Sequence, residues 1–591
     1  MRVIKTKDRS KLIQAAMGKI PCDLTIGNVQ FLNVITGEIY PASVDILAGF
    51  VVLVREEGQE PVLPAKKYYD GCGRYLIPGF IDTHVHVEST MMIPENLSRA
   101  ILPWGTTTIC TDPHEIGNVM GVEGVEFMLD NAKKSKLRQY VLAPSCVPSV
   151  PGLENAGAEF GAAEIGRLLD MDNVVGIAEI MDYVGVINDT ERMHSIIEEG
   201  VKRGMFLQGH APYCTGKELA AYLIGGPVSD HESVSEDEVR AKLRAGMHIN
   251  LRASSLIDSL SFLVDGCKDM PWRDFVSVCT DDVHAKDLLT VGHINKVVGK
   301  AIAAGLDGKE VIKLATLNAA REYGFADLGA IAPGYIADIQ LVDALDGSRP
   351  KAVFVEGELV AEDGKYLGSD SMGEAYDLPN TVNIPQLSGS DSFRLRVPEG
   401  YSGSTVTVNV MTPVPGSRIL RHVVPTELPV KDGAVDISGD ASLCFVCCAN
   451  RYGLDSKTIA VYRNFGLLTG ALASTISHDS HNLTVCYRSA DDAWLAAETL
   501  RNCGGGVCAA NNGSETHIEL PAAGLMSQKP CAEVAQDIAE VQKAVDVISG
   551  GALTLLASAI IALPVLPSVV ITDMGLVDGT TQSFVPVFAD M

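Results

Sequence analysis

The feature that most constrains the fold is a series of apolar, strand-like segments between residues 75 and 282, several of them separated by segments with helical periodicity. We predict helices at residues 122–135, 191–203 and 236–245. We predict strands at residues 75–87, 106–113, 140–146, 174–180, 205–212, 228–233, 248–254 and 275–282. Strands alternating with helices over about 250 residues indicate an α/β fold of the (β/α)8 barrel type, whose active site lies at the carboxyl ends of the strands.

Polar side chains lie at the ends of these predicted strands. His84 and His86, in GFIDTHVHVEST, are two residues apart, and a strand projects such neighbours to one face. The other candidates are Asp112 and His114 at the end of the second strand, Glu179 at the end of the fourth, His210 at the end of the fifth, His231 in the sixth, and Asp281 and Asp282 at the end of the eighth. Each residue alone has an ordinary structural explanation. Their convergence on one rim predicts a metal centre.

The predicted ligands are imidazoles and carboxylates, namely His84, His86, Glu179, His210, His231 and Asp281. Such ligands suit manganese, iron or zinc, and the lack of a thiolate argues against a closed structural zinc site. The set can hold two ions, which would share Glu179 and a hydroxide whose formation they favour near neutral pH. Asp281 would pass the proton of the attacking water to a leaving group. The predicted reaction is hydrolysis at an electrophilic carbon.

Asp281 and Asp282 are adjacent, and neighbours in a regular strand point to opposite faces. Asp281 shares its face with Ser277 and Cys279, which are small enough for a crowded barrel interior, whereas Asp282 shares its face with valines. We therefore predict that Asp281 faces the metals and that Asp282 braces a loop.

The segments on either side of the barrel have a similar texture. Residues 23–66 and 330–366 read as short alternating strands with Gly and Pro turns, so they could form one small β-domain split by an insertion. We predict a split β-sandwich from residues 1–75 and 329–372, with the barrel at 76–328 inserted in it. After a linker at 371–391, residues 392–591 are predicted to form a C-terminal α+β domain.

The net charge and the cysteine content limit which partners and which cellular compartment are expected. The formal net charge of -27 disfavours nucleic acid as a partner, because such a surface repels phosphates. Fourteen scattered cysteines fit reduced thiols in the cytoplasm, and residues 1–20 read as an amphipathic helix rather than a secretory signal. Residues 547–571 are uncharged and long enough to span a bilayer, but their glycines and prolines favour a broken core segment, so we predict no membrane partner.

Other motifs fit less well. The zinc nucleoside deaminases use H-x-E with P-C-x-x-C, but here PHEI places His and Glu side by side and CFVCC lacks the proline. Cys444 and Cys447 have zinc-like spacing without a second pair, so we predict buried thiols. NCGGGVC matches neither a phosphate loop nor a dinucleotide fingerprint.

Longer segments resemble one enzyme family. PGFIDTHVHVEST followed by GTTTICTDPHEIGNVMG resembles the opening of the adenine deaminases, within the amidohydrolase superfamily. QGHAPYCTGKELAAYLIGGPVSDHES, SVCTDDVHAKDLL, LATLNAAREYG and LGAIAPGYIADIQLV are similar to the same family, and GALASTISHDSHN is similar to its C-terminal domain. The resemblance covers nearly the whole chain.

The resemblance implies a split β-sandwich, a barrel and an appended C-terminal domain. It implies two divalent ions, with manganese or iron expected and zinc possible, held by the six ligands already named, with Glu179 where many relatives use a carboxylated lysine. The implied reaction is attack of hydroxide on C6 of adenine, giving hypoxanthine and ammonia for purine salvage. Residues expected to contact the purine or support the ligands are Asp112, His114, Glu115, Asp282, His478, Asp479 and His481. We also expect a homo-oligomer, either a dimer or a tetramer.

Departures and alternatives remain open. Tyr452 follows Arg451 where the family usually has histidine, and Tyr487 lies where a glycine is expected, which puts the contribution of the C-terminal domain in question. In SHDSHN, the Ser, Asp and Asn side chains could simply cap a turn. The competing functions are another amidohydrolase, acting on a cyclic amide or a different aminopurine, and a non-catalytic scaffold, whose usual sign would be a lost ligand.

Overall fold

The computed structural model describes residues 8–59, 62–255, 259–368, 376–417 and 419–589. Its first part holds a helix, α1 (Arg9–Ala16), and strands of an N-terminal sheet. These strands are β1 (Cys22–Asn33), β2 (Glu38–Leu47), β3 (Phe50–Glu56), β4 (Ala65–Asp70) and β5 (Tyr75–Pro78). Leu12 and Ala15 form the buried face of α1, three residues apart, as expected for an amphipathic helix.

The barrel strands follow β5 directly. They are β6 (Phe80–His86), β7 (Thr106–Thr111), β8 (Arg138–Ala143), β9 (Val174–Ile180), β10 (Phe206–Gly209), β11 (Ser229–Asp230), β12 (His248–Arg252), β13 (Val276–Cys279) and β14 (Asp281–Asp282). They pair in parallel in the orders β10-β9-β8-β7-β6-β14 and β11-β12-β13. Val228 N–H donates to Leu207 O at 3.0 Å and connects the two series. The predicted barrel is confirmed, with the last strand divided at Thr280.

Helices alternate with these strands along the chain. They are α2 (Pro94–Ile101), α3 (His114–Ala132), α4 (Ala162–Leu169), α5 (Tyr183–Ile187), α6 (Glu191–Arg203), α7 (Gly216–Gly225), α8 (Glu236–Arg244), α9 (Leu260–Cys267), α10 (Ala285–Thr290), α11 (Ile294–Ala303), α12 (Gly308–Lys313) and α13 (Ala319–Glu322). In α6, Met193, Ile196, Ile197 and Gly200 are buried at helical spacing. Gly200 allows close packing, since a Cβ there would come within 2.6 Å of Leu207.

The chain then returns to the N-terminal sheet. Strands β15 (Ile339–Val342), β16 (Ala352–Val355), β17 (Glu358–Glu362) and β18 (Lys365–Tyr366) extend it in the order β18-β17-β16-β15-β5-β1-β2-β3, with β4 beside β1. Tyr69 on β4 lies 5.1 Å from Phe354 between ring centroids and donates to Glu362 at 2.8 Å. Because β4 and β16 are not neighbours in the sheet, these contacts show that it rolls over its own core. The predicted split of one β-domain by the barrel is confirmed.

The C-terminal part consists of a second mixed sheet with a helix on each face. Its elements are β19 (Thr405–Pro413), β20 (Arg421–Lys431), β21 (Ala434–Val435), β22 (Leu443–Ala449), β23 (Lys457–Arg463), β24 (Ala471–Ser474), β25 (Leu483–Tyr487), α14 (Ala490–Cys503), β26 (Gly506–Asn511), β27 (Ser514–Glu519) and α15 (Cys531–Ser549), followed by a small sheet of β28 (Val569–Thr572), β29 (Gly575–Asp578) and β30 (Ser583–Val585). On β22, Val446 and Cys448 share a core with α15, whereas Cys447 and Ala449 share one with α14. This two-residue alternation places the helices on opposite faces.

Part of the predicted linker belongs to this second core. Val382, Ile384 and Leu387 are buried among residues of β22 and α14, so this part of the predicted linker packs against the C-terminal sheet and its helix α14. Residues 371–375 lie outside the described residues. The exact domain boundaries at 75, 328 and 372 stay a prediction.

Residues 547–571 are broken, as their glycines and prolines predict. Helix α15 ends at Ser549, irregular chain follows, and Ile561, Ala562 and Ile571 are buried in the C-terminal core. Across the described ranges, no helix is both long and apolar enough to cross a bilayer. All fourteen cysteines, each within the described ranges, are free thiols, and Cys444 and Cys447 are buried as predicted.

Candidate metal centre

The histidines of β6 are oriented by hydrogen bonds from the far side of their rings. Gln208 uses its amide nitrogen to donate to Thr83 O at 3.1 Å and Tyr323 Oη at 3.0 Å, so its Oε1 faces His84 Nδ1 at 2.9 Å. His84 therefore donates through Nδ1 and keeps the lone pair of Nε2 free. Nε2 lies 3.5 Å from Asp281 Oδ1. Gln208 thus fixes the tautomer that a metal ligand needs.

His86 is oriented in the same way by the neighbouring strand. Its Nδ1 donates to Asp112 O at 3.1 Å, at the end of β7. Its Nε2 lies 3.2 Å from Asp281 Oδ1 and 3.5 Å from Glu179 Oε1. Both histidines of the HxH pair therefore present Nε2 to the same group of carboxylates, as the strand periodicity predicts.

Glu179 lies between two groups of imidazoles. Oε1 is 3.5 Å from His86 Nε2 and 3.6 Å from His114 Nδ1, while Oε2 is 2.5 Å from His210 Nδ1 and 3.3 Å from His231 Nε2. Burial alone would raise the pKa of Glu179, but the histidines outweigh it and hold that pKa well below its ordinary value. A carboxylate that presents one oxygen to each group has the geometry of a bridge.

Asp281 and Asp282 both face this region. Asp281 has a φ of 61°, which breaks the alternation of side chains along the strand. Ser89 Oγ donates to Asp282 Oδ1, and carboxylate oxygens of Asp281 and Asp282 lie within 4.8 Å of each other and of a ring nitrogen of His86. The prediction that the two aspartates point to opposite faces is wrong, because the left-handed residue turns the chain. Burial and the neighbouring Asp281 charge raise the pKa of Asp282.

The prediction that His114 ends a strand is wrong, because β7 stops at Thr111 and α3 begins at His114. His114 Nδ1 lies 3.1 Å from Asp112 Oδ2. Glu115 points toward the C-terminal sheet instead: Oε1 is 2.6 Å from His478 Nδ1, and Oε2 accepts from His481 Nε2. The carboxylate also lies in the first turn of α3, where the helix dipole favours negative charge.

The tautomer of His481 decides what this second cluster can do. Ser477 N–H donates to His481 Nδ1 at 3.1 Å, so Nδ1 is an acceptor and Nε2 carries the proton that it donates to Glu115. No lone pair is left at Nε2 for a metal. Burial would lower the pKa of His478, but Glu115 outweighs it and raises that pKa to about 9, so His478 is a cation. The cluster is therefore a charged hydrogen-bond network that joins the barrel to the C-terminal sheet.

The turn that carries these histidines is held close to the barrel. Asp479 Oδ1 lies 3.7 Å from His114 Nε2. Tyr452 Oη donates to Ser480 O at 2.5 Å, so the tyrosine that departs from the family pattern braces this turn. Tyr487 is a core residue far along β25, where its hydroxyl donates to Phe393 O at 2.5 Å.

Sequence reasoning missed two residues that bear on the ligands. Gln208 lies on β10, two residues before His210, which directly follows the strand, and that spacing was an available signal for a shared face. Arg252 ends β12, the seventh strand, which supplies none of the predicted ligands. Its Nη1 donates to Asp281 Oδ2 at 2.9 Å. An arginine at the end of a predicted strand that supplies no other candidate was the corresponding signal.

The residues present fit divalent metal ions. The buried His84 Nε2 has no hydrogen-bond partner among the described residues and faces the cluster. Three sets of ligand atoms each lie within 4.8 Å of one another: His84, His231 and Asp281; Glu179, His210 and His231; and His86, Asp112, His114 and Glu179. Neutral imidazoles mixed with carboxylates are the donors that Mn, Fe and Zn accept.

Comparison with known proteins finds two family models and curated relatives that match this chain. The amidohydrolase family model matches residues 75–360, and the adenine deaminase C-terminal domain model matches residues 418–583. The chain is 37% identical to adenine deaminase 2 of Carboxydothermus hydrogenoformans, over 98% of this chain and 99% of that protein. It is 38% identical to adenine deaminase of Klebsiella pneumoniae, over 90% and 88%. A solved structure of β-aspartyl dipeptidase from Fervidobacterium islandicum aligns with 59% of this chain and 99% of its own, at a TM-score of 0.45 and 21% identity.

Proposed function

Because the chain belongs to the adenine deaminase family, we propose that it hydrolyses adenine to hypoxanthine and ammonia, a reaction of purine salvage. The observation that carries this proposal is similarity to adenine deaminases over nearly the whole length of both chains. That similarity favours adenine over the cyclic amides and other aminopurines that the site chemistry alone allows. A scaffold without turnover is disfavoured, since all the predicted ligands are present and lie together.

We assign the ligands in two groups around Glu179. His84, His86 and Asp281 would hold one ion, His210 and His231 the other, and the carboxylate of Glu179 would be shared. Divalent ions bound there lower the pKa of water, so that hydroxide is available near neutral pH. Manganese or iron are the metals we expect, with zinc as the alternative.

Asp281 is the candidate proton shuttle. Oδ1 faces the Nε2 atoms of His84 and His86, whereas Oδ2 is engaged by Arg252. A carboxylate so placed can accept the proton of the attacking water and return it to the leaving amine. Arg252 and the histidines hold its pKa low against the opposing effect of burial, so it is an ionised base in the resting site.

The purine is expected to lie between the barrel rim and the C-terminal sheet. A cleft there is lined by Glu88, Ser89, Glu115, His284 and His478 on its polar sides and by Ile476, Leu525 and Leu556 on its apolar sides. Ser89 connects the cleft to Asp282. Apolar side chains can cover the faces of a flat ring and exclude water from them, while the polar groups bind the edge of the ring. We place Asp112, His114 and Asp479 beside the ligands and Glu115, Asp282, His478 and His481 at the substrate.

The remaining predictions concern the setting of the enzyme. A reducing compartment such as the cytoplasm suits the free thiols. The homo-oligomer expected from the sequence stays a prediction, which sedimentation analysis of the purified protein would check.

Chromatographic analysis of the products, together with ammonia release, tests the proposed reaction, because hydrolysis of a cyclic amide opens the ring without releasing ammonia. Purified protein, stripped and reloaded with Mn²⁺ or Fe²⁺, is incubated with adenine, other aminopurines and a panel of cyclic amides. Adenine should give hypoxanthine and ammonia in equal amounts and the highest kcat/KM. Faster turnover of a cyclic amide, with adenine inert at the same metal loading, would reject adenine as the substrate.

A further inference from the structure

Lys242 is a buried cation in the last turn of α8. Its side chain has no exposure, and Nζ lies 2.6 Å from Glu238 Oε1, 2.7 Å from Ala211 O, 2.9 Å from Asp230 Oδ2 and 3.3 Å from Ser233 Oγ. Burying an ammonium ion is costly, and apolar residues of similar volume often serve stability as well as a buried ion pair does. The charge at this position therefore indicates that Lys242 serves to orient its neighbours rather than to add stability.

The partners of Lys242 adjoin two of the assigned ligands. Ala211 directly follows His210, and Asp230 directly precedes His231. Asp230 itself joins the two loops, because its Oδ1 accepts from Ala211 N–H at 2.9 Å while its Oδ2 accepts from Lys242. The carboxylate and the ammonium thus tie both loops together at the residues next to the imidazoles. We call Asp230, Lys242 and the backbone of Ala211 the loop clamp.

The loop clamp lies where the strand pairing of the barrel is interrupted. The continuous parallel ladder ends at β10 on one side and begins again at β11, which has only two residues. The spacing of the loops after these strands is therefore set by few ladder hydrogen bonds. The side chains of Asp230 and Lys242 add to the single ladder hydrogen bond that the described residues form there, from Val228 N–H to Leu207 O.

The spacing of these loops fixes the spacing of two imidazoles. His210 Nδ1 and His231 Nε2 both face Glu179 Oε2, at 2.5 Å and 3.3 Å, and their ring centroids are 5.3 Å apart. His210 N–H also donates to Tyr222 Oη at 3.0 Å, so its backbone is restrained from a second side. A relative shift of the two loops would separate the rings and spoil their common approach to one ion.

We propose that Lys242 and Asp230 are positioning residues that set the distance between His210 and His231 and thereby the affinity of the metal site that these histidines share with Glu179. The proposal rests on the two-metal site assigned above and does not depend on adenine as the substrate. Outer partners of metal ligands typically change metal affinity by about 10- to 100-fold when they are replaced.

The test compares Lys242→Met with the wild type in the absence of substrate. Mn²⁺ affinity is measured on folded, metal-free protein by competition with a chelator, and hydrogen exchange is followed by mass spectrometry in peptides covering residues 205–214 and 228–235. The affinity of one of the two Mn²⁺ ions should fall by about 10- to 100-fold. Exchange should accelerate in both peptides, since the Ala211 carbonyl and the side chains of Asp230 and Ser233 lose the ammonium group that holds them.

Two variants of the same chain serve as controls. Arg138→Met breaks a partly buried ion pair, with Asp338, at the amino end of β8 and away from the metal centre. It should lower the melting temperature but leave Mn²⁺ affinity unchanged. Glu238→Gln removes a charged partner of Lys242 that does not join the two ligand-bearing loops, since its other contact, from Val234 N–H, lies three residues after His231 and does not reach the loop of His210. It should change affinity much less than Lys242→Met.

Asp230→Asn is the second, isosteric variant. It should reproduce the loss of Mn²⁺ affinity, and the double variant should show little further loss, because both changes act on one clamp. Wild-type affinity and exchange in folded Lys242→Met or Asp230→Asn would overturn the proposal. Failure of both variants to fold, while Arg138→Met folds, would also overturn it, since the pair would then serve the barrel as a whole.

Discussion

Arg252 holds one oxygen of Asp281 and leaves the other turned to the histidines. Its Nη1 donates to Asp281 Oδ2 at 2.9 Å, while Oδ1 lies 3.5 Å from His84 Nε2 and 3.2 Å from His86 Nε2. The same guanidinium contacts Glu232, the residue after His231. Arg252 therefore connects the seventh and eighth strands of the barrel to the loop that carries another assigned ligand.

Arg252→Met should lower kcat by about 10- to 100-fold, because Asp281 loses the partner that fixes its orientation and its charge. KM for adenine should change little, since Arg252 does not line the cleft assigned to the purine. Arg252→Lys keeps the charge but loses the planar guanidinium group, so its kcat should lie between those of the wild type and Arg252→Met. Steady-state kinetics at saturating Mn²⁺ measure both constants. An unchanged kcat with a raised KM would instead place Arg252 at the substrate.

Asp281→Asn should lose about 10²- to 10⁴-fold in rate, the usual contribution of a positioned proton acceptor. Asp282→Asn should lose less, since its carboxylate bonds Ser89 and is not held by Arg252. Rates of ammonia release and metal contents of both variants provide the comparison. The opposite order, with both proteins folded and metal-loaded, would exchange the two roles.

Glu179→Gln should reduce the metal content below two ions per chain and cut turnover strongly. A neutral amide is a poor bridge between two cations. The variant would also lack the negative charge that Glu179 presents to His210, His231 and the ion they hold. Elemental analysis after dialysis against metal-free buffer gives the stoichiometry. Two tightly held ions and a normal rate in this variant would show that Glu179 is not a ligand.

Chelation of the ions should lower the melting temperature. An ion that binds only the folded chain stabilises it by about 2.7 kcal/mol at 100 times its Kd, and its loss leaves buried carboxylates such as Glu179 and Asp281 without that partner. Scanning calorimetry before and after chelation measures the shift. Mn²⁺ should restore the transition better than Mg²⁺, which prefers oxygen ligands. An unchanged transition after complete metal removal would contradict the assignment.

Glu154→Gln should stabilise the protein at neutral and alkaline pH. Burial raises the pKa of Glu154 to about 7, and its Oε2 has no hydrogen-bond partner among the described residues. The folded chain therefore keeps this proton at a pH where the unfolded chain has released it. Stability is present below the unfolded pKa of about 4.5 and is lost as pH rises through about 7, by up to about 1.4 kcal/mol per pH unit.

Thermal unfolding at pH 5 and pH 8 checks this sign. The gain from Glu154→Gln should be larger at pH 8 than at pH 5. The variant keeps the acceptor for Ser149 Oγ and Val150 N–H, so hydrogen bonding at Oε1 is matched. A gain that is equal at both pH values would mean that Glu154 is ionised in the folded chain.

Elements with uninterrupted periodicity were predictable to the residue. Val174–Ile180 and Glu191–Arg203 have the bounds expected from their apolar patterns, because turn residues enclose each of them. The strand expected at 228–233 is only Ser229–Asp230, since the rest of that segment turns toward α8 and the loop clamp. Pairing, rather than local propensity, sets where so short a strand ends.

The candidate ligands could be found from spacing because the carboxyl ends of parallel strands meet at one rim. The direction of Asp282 could not, since it follows from a left-handed φ at Asp281 that alternation does not foresee. The contacts of Gln208, Arg252 and Lys242 could not be foreseen either, although the strand positions of Gln208 and Arg252 were an available signal. The partners of these long side chains depend on which loops approach them in the folded protein. The pattern of residues along the chain indicates burial but not partners.

Local order along the chain thus fixes the barrel, the two sheets and the residues at the strand ends, because periodic burial and turn chemistry act over neighbouring residues. The joining of Glu115 to His481 has no such local cause. These residues are 366 positions apart, and their contact exists only because the C-terminal sheet docks on the barrel rim through a shared apolar core. Whether His478 is a cation, and which nitrogen of His481 carries a proton, follow from that docking, since burial and charge partners fix both.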